Sequence, residues 1–167
     1  PVSTTLLQDF LATRPVVNGA YEISAARSYM HDETDYDRQY GLEQFSTEEL
    51  TREAGYLMDI CRRHGLPSGV PVLEIGCGTG LLTRELRTRF PAAELIVTDL
   101  SPDMVAATMA DGMVGAQFMA MNGEAPVFDR PYFDLIISSL AFQWFSDLEG
   151  AIARLFALLR PGGTLMF

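Results

Sequence analysis

From residue 46 onward the apolar positions alternate between helical spacing and short unbroken runs. Leu50, Ala54, Leu57, Met58 and Cys61 share one helical face. Ser46-x-x-Glu49 ahead of them is a capping box. Arg62, Arg63 and His64 sit at the end, where cations suit the helix dipole, and Gly65 and Pro67 stop the helix. Val72, Leu73 and Ile75 then fit a short buried strand. Leu82, Leu86 and Phe90 return to helical spacing, closed by Pro91. Glu94 to Asp99 reads as a second strand, and Ser101-Pro102 as a helix N-cap with proline at the first helical position. Gln117 to Ala120 gives a weaker third strand, and Tyr132 to Ser139 a fourth, whose apolar run suits a strand buried on both faces. A second capping box, Ser146-x-x-Glu149, opens a helix with Leu148, Ile152, Leu155, Phe156 and Leu159 on one side. Arg160-Pro161-Gly162-Gly163 ends it, and Thr164 to Phe167 begins a fifth strand. Strands alternating with helices in this way predict an α/β fold: a Rossmann-like, doubly wound, mostly parallel sheet with helices on both faces.

Before residue 46 the period is lost. Leu6, Leu7, Phe10 and Leu11 have helical spacing that Pro15 ends, which predicts a short packing helix or an arm. Residues 21–45 mix Tyr21, Tyr29, Tyr36, Tyr40 and Phe45 with charges and no clean repeat. Residues 1–45 are therefore expected to be an N-terminal arm or lid, and residues 46–167 the core domain. The last residues lie inside an apparent core strand, which predicts a fold truncated after the fifth strand.

Composition narrows the function. The net charge is −10, and all twelve basic residues are arginine. An acidic chain with no basic run argues against a nucleic-acid backbone groove. Cys61 and Cys77 have neither disulfide-framework nor zinc-site spacing, so a reduced, cytoplasmic setting is expected. There is no run of 18 apolar residues, and no membrane partner is expected.

The chemistry gathers at Val72-Leu-Glu-Ile-Gly-Cys-Gly-Thr-Gly80. A strand that breaks into Gly76, Gly78 and Gly80 and then a helix allows close approach to the main chain. The dinucleotide fingerprint places its third glycine three residues after the second; here it comes two after, which disfavours a nicotinamide cofactor. Asp99, 19 positions beyond Gly80 at the end of the second strand, is placed to accept two hydrogen bonds from a ribose diol.

Glu74-x-Gly-x-Gly-x-Gly resembles motif I of the class I S-adenosylmethionine (SAM) methyltransferases. Asp99-Leu-Ser-Pro-Asp-Met104 resembles motif II, Phe133-Asp-Leu-Ile-Ile137 motif IV, and Leu-Arg-Pro-Gly-Gly before a strand is common in the same family. The resemblance runs from residue 70 to the end and implies seven strands in a complete domain. It implies SAM as cofactor, with Glu74, Gly76, Cys77, Gly78 and Gly80 in the loop, Asp99 on the ribose, and Leu100 and Met104 flanking adenine; plain packing is the alternative for Met104. The loop Met121-Asn122-Gly123-Glu124 stands where the family often has Gly-Asp-Ala/Gly-Glu. Asn122 or Met121 then takes the adenine position beside Gly123. Ser139 would face the methionine part or the substrate, and Ser138 a mere strand terminus.

Ser138-Ser-Leu-Ala-Phe-Gln-Trp144 is similar to a segment of the biotin-pathway malonyl-carrier-protein O-methyltransferases, and trans-aconitate methyltransferases have a similar Leu-Gln-Trp. Both act on carboxylates. A carboxylate is already ionised near neutral pH and needs no base, whereas a hydroxyl does. His31 is the one histidine placed to act as a base. The expectation is methyl transfer to a small-molecule or carrier-protein-bound acceptor, foremost a carboxylate oxygen. A natural-product O-, N- or C-methyltransferase and a non-catalytic SAM-binding module are the alternatives.

Overall fold

The computed structural model describes residues 16–17, 20–22 and 47–167. In chain order the elements are β1 (Val16–Val17), β2 (Ala20–Glu22), α1 (Thr47–Arg63), β3 (Pro71–Ile75), α2 (Leu81–Arg89), β4 (Glu94–Asp99), α3 (Pro102–Ala110), β5 (Ala116–Ala120), β6 (Phe133–Ser138), α4 (Leu148–Phe156) and β7 (Leu159–Met166). A single 3-10 turn, Phe142–Trp144, lies between β6 and α4.

The strands form one sheet in the order β1-β2-β5-β4-β3-β6-β7. Only β1 and β2 are antiparallel; every other neighbouring pair is parallel. The chain steps outward from β3 to β4 to β5, then returns to the other side of β3 for β6 and β7. The direction of winding therefore reverses between β3 and β6, and ligands of such sheets bind at the carboxyl ends of the strands beside that reversal. The registers bring those ends level: Ile75 pairs with Thr98 and with Ser138, and Asp99 with Ala120.

Alternation along each strand builds two cores. On one face Val72, Val97 and Leu135 pack with Leu57, Met58 and Cys61 of α1 and Leu82 and Leu86 of α2. On the other, Leu73, Ile75, Ile96 and Ile136 pack with Leu155 of α4. The five strands expected from residue 70 onward are all present, with helices on both faces. Ala54, Leu57, Met58 and Cys61 are buried as their spacing predicts.

Three local expectations are corrected, and one feature is new. The N-terminal segment adds a small hairpin, β1–β2, that pairs with β5, a feature no period announces. The fourth helix is capped by Asp147, whose carboxylate accepts from the Gly150 N–H at 3.0 Å, and not by Ser146. Its apolar side is also narrower than the spacing predicts: Leu148 and Phe156 are exposed (40% and 60%), while Ala151 and Leu155 are buried. The fifth strand begins at Leu159 instead of Thr164; its register jumps between Phe133↔Leu159 and Leu135↔Thr164, so residues 160–163 bulge, with Gly162 at φ +85°. Leu6 to Leu11, His31 and Ser46 lie outside the described residues.

Candidate functional site

The glycine loop leaves the carboxyl end of β3 and is held by its own backbone. Gly76 and Cys77 N–H both donate to the Thr98 carbonyl (2.8 and 2.9 Å), and Gly80 N–H donates to the Cys77 carbonyl (2.9 Å). Three of its residues adopt positive φ: Gly76 at +74°, Gly78 at +52° and Gly80 at +84°. At Gly76 a side chain is also barred by contact, since a Cβ would stand 2.5 Å from the Ala141 Cβ. A Cβ on Gly80 would meet Thr108 at 2.8 Å. Gly78 differs. A Cβ there would meet nothing within 4 Å, so this glycine faces open space. The loop amides that the sequence offers to a ligand are thus largely committed, mostly to the end of β4. The first turn of α2 has no side-chain cap and no acidic residue, so its N–H groups and positive dipole end remain for a ligand.

Asp99 ends β4 fully buried. Its Oδ2 accepts from Gly78 N–H and its Oδ1 from Ser101 N–H, both at 2.9 Å. Ser101 does cap α3, accepting from the Met104 N–H at 3.4 Å. Yet Asp99 also braces the glycine loop from across the crevice. Each oxygen keeps a second lone pair, enough for a diol. Burial raises the Asp99 carboxyl to about 6, against the lowering effect of the Ser101, Gly78 and Leu100 N–H groups.

Glu74 lies on the α1/α2 face of β3, as Val72 does. It is fully buried, and neither carboxylate oxygen has a hydrogen-bond partner. The Thr83 hydroxyl on α2 is buried and unpartnered as well. Burial lifts the Glu74 carboxyl to about 8; the Thr83 hydroxyl and Arg84 pull it down, and the charge of Asp99 pushes it up further. Burial likewise raises the Cys77 thiol, with Asp99 and Glu74 adding to the effect.

The remaining residues sort by exposure. Leu100 is half-buried, whereas Met104 is interior, the packing role given as its alternative. Met121 is also interior, in the α4-side core, and Asn122 is half-buried, so of the two Asn122 is nearer the surface. Its Oδ1 already accepts from the Glu124 N–H at 2.9 Å. Gly123 is wedged: a Cβ would lie 2.6 Å from Ile75 and 2.8 Å from Phe145. Ser138 Oγ donates to the Ile75 carbonyl at 2.7 Å, in keeping with a strand terminus, and Ser139 is half-buried at the strand end.

Sequence reasoning missed two features. Leu140 adopts φ +55°, a left-handed conformation rare for a branched residue, and it delivers Ala141 against Gly76. Glu124 accepts from the Ser146 hydroxyl (3.0 and 3.1 Å) and the Asp147 N–H (2.7 Å), tying the loop after β5 to the start of α4. Only an acid four residues beyond the strand end hinted at the second; nothing in the sequence signalled the first.

An adenosyl sulfonium fits these residues: a level row of strand ends, an uncapped helix terminus, an open face at Gly78 and a carboxylate with lone pairs to spare. Residues 72–163 match a family model described as a methyltransferase domain. The chain is 48% identical over 100 residues to a biotin biosynthesis bifunctional protein, BioCD, of Bordetella avium, covering 60% of this chain and 22% of that protein. It is 39% identical over 136 residues to a malonyl-[acyl-carrier protein] O-methyltransferase of Magnetococcus marinus, covering 80% and 47%. The chain therefore spans half or less of the length of these two relatives. In fold it is similar to SAM-bound CalS10, an amino pentose methyltransferase of Micromonospora echinaspora, with a TM-score of 0.61 at 24% identity over 84% of this chain and 58% of that one. The motif order, the parallel sheet reversing between β3 and β6, and the family match together place the chain in the class I SAM-dependent methyltransferases.

Proposed function

We propose that the protein transfers the methyl group of SAM to a carboxylate oxygen of a small-molecule or carrier-protein-bound acceptor. The observation that carries the cofactor half is the Asp99 carboxylate, spanning the crevice to the glycine loop while keeping lone pairs for a ribose diol. In this reading Leu100 and Asn122 border the adenine, the α2 N-terminus receives the ligand's anionic end, and Gly78 leaves room for it. SAM supplies a carbon already activated by its sulfonium. The chain has then to bind, align the acceptor and exclude water.

Similarity to proteins named malonyl-[acyl-carrier protein] O-methyltransferase supports the acceptor class. A carboxylate nucleophile asks for no base. The test is calorimetry with SAM and S-adenosylhomocysteine, then a coupled assay over free carboxylic acids and malonyl thioesters on a carrier protein. Methylation of the thioester's free carboxylate is expected. Tight binding with no turnover on any acceptor would favour the non-catalytic module, and turnover only on hydroxyls or amines would overturn the carboxylate assignment. His31→Ala is expected to leave turnover within about tenfold, because no general base is called for.

A further inference from the structure

The glycine loop is held by α3 as well as by the strands. Cys77 to Gly80 form a turn, closed by the Gly80 N–H donating to the Cys77 carbonyl at 2.9 Å. Gly78, at its second position, has a φ of +52°, and Thr79, at its third, has no positive φ, which is the type II′ pattern. The carbonyl of the central peptide, that of Gly78, accepts from Thr108 Oγ1 on α3 at 2.7 Å. The Cys77 thiol reaches the same oxygen at 3.8 Å and is a weak donor. The next carbonyl, of Thr79, accepts from Arg84 Nη1 at 3.1 Å, and Arg84 pairs with Asp111 at the end of α3. Thr108 is fully buried. A threonine inside a helix often turns its hydroxyl to the carbonyl one turn back; this one gives it to the loop. Its methyl group stands where a Cβ on Gly80 would come, at 2.8 Å. Valine would fill that space equally well, so packing alone does not call for the hydroxyl. A trans peptide points its N–H opposite to its carbonyl. With the Gly78 carbonyl drawn to α3, the Thr79 N–H is turned away from α3. Thr79 is exposed, and among the described residues its N–H donates to no acceptor.

We propose that Thr108 is a positioning residue for the methyl donor: through the Gly78 carbonyl, its hydroxyl fixes the Gly78–Thr79 peptide so that the Thr79 N–H is presented to the anionic end of the ligand. This rests on the reading of the crevice as a SAM site. Thr108 is buried and acts only through the loop. Gly78, beside the peptide it holds, faces open space where a ligand has room. Without the hydroxyl the central peptide would be free to turn, and its carbonyl oxygen would then repel a carboxylate. With the hydroxyl the peptide is set before the ligand arrives, and binding does not have to order it.

The test is titration calorimetry of the full chain with S-adenosylhomocysteine and with methylthioadenosine, an adenosyl thioether that lacks the amino-acid end and its carboxylate. Thr108→Val keeps the shape and removes the hydroxyl. It should weaken S-adenosylhomocysteine about tenfold and leave methylthioadenosine within about twofold, and Thr108→Ser should restore the wild-type ratio. An equal loss for both ligands, a loss for neither, or no recovery with serine would overturn the inference while leaving the SAM site standing. Failure of the wild type to bind either ligand would overturn the functional reading, and this inference with it. A second readout needs no variant, so a poorly folding Thr108→Val would not blunt it. In amide NMR of the wild type, the Thr79 N–H resonance should move downfield with S-adenosylhomocysteine and much less with methylthioadenosine. A Thr79 resonance that responds alike to both ligands, or to neither, would overturn the inference.

Discussion

Two buried carboxylates stand on adjacent strands, one at the end of β4 and one near the end of β3, and their surroundings differ. Asp99 is buried with a backbone N–H on each oxygen; Glu74 is buried with none. The first is part of the scaffold, because it joins the glycine loop to the start of α3. The second holds nothing together. Buried polar groups are normally satisfied, so an acid that braces no structure marks a place shaped for something else.

The loop shows the same contrast among its glycines, and substitutions separate the scaffold from the open site. Gly76→Val should have the largest effect. It violates both a φ of +74° and a 2.5 Å approach to Ala141, and a loss of about 3 kcal/mol or more in urea unfolding is expected. Asp99→Ala comes next. It strips the acceptor from two N–H groups, and a loss of about 2–4 kcal/mol is expected, with weaker SAM binding alongside. An unchanged unfolding midpoint would show that Asp99 is not a brace. Gly78→Val should cost only the backbone strain, about 1–2 kcal/mol, while abolishing SAM binding, because its new side chain points into open space. Normal affinity in that variant would move the ligand elsewhere.

Glu74→Gln should have an effect that depends on pH. The folded-state value of about 8 lies above the ordinary 4.5, so the native protein holds a proton that the unfolded chain has released. Stability from this group is complete below about 4.5 and falls as pH rises through 8. The wild type should therefore lose about 2 kcal/mol between pH 6 and pH 8, at 1.4 kcal/mol per unit, and Gln should remove that part of the slope. Asp99, raised to about 6 from 3.8, adds a slope of the same sign at lower pH, and Glu74→Gln leaves that one intact. Denaturant melts at three pH values measure both.

The core strands, the order of helices and the glycine loop were legible because each repeats a period or a motif over several residues. Val72, Leu73 and Ile75 announce β3 whatever surrounds them. Strands of two and three residues such as β1 and β2 carry no period and exist through pairing, β1 with β2 and β2 with β5. The cap of α4 was misplaced by one residue because two adjacent residues, Ser146 and Asp147, can both cap, and Glu124 claims the serine. Leu148 and Phe156 were assigned to the core because helical spacing shows a side but not how wide a stripe a nine-residue helix buries. Among site residues the identity of Asp99 was legible, but its double duty was not, since hydrogen bonds from Gly78 and Ser101 depend on how tightly β3 and β4 close together.

The backbone of Leu140 has a practical corollary for anyone hoping to toughen this protein. Asparagine tolerates a φ of +55° far better than leucine, so Leu140→Asn should relieve about 1 kcal/mol and raise the melting temperature. Because asparagine keeps the same turn, Ala141 should stay where it leaves no room for a side chain at Gly76.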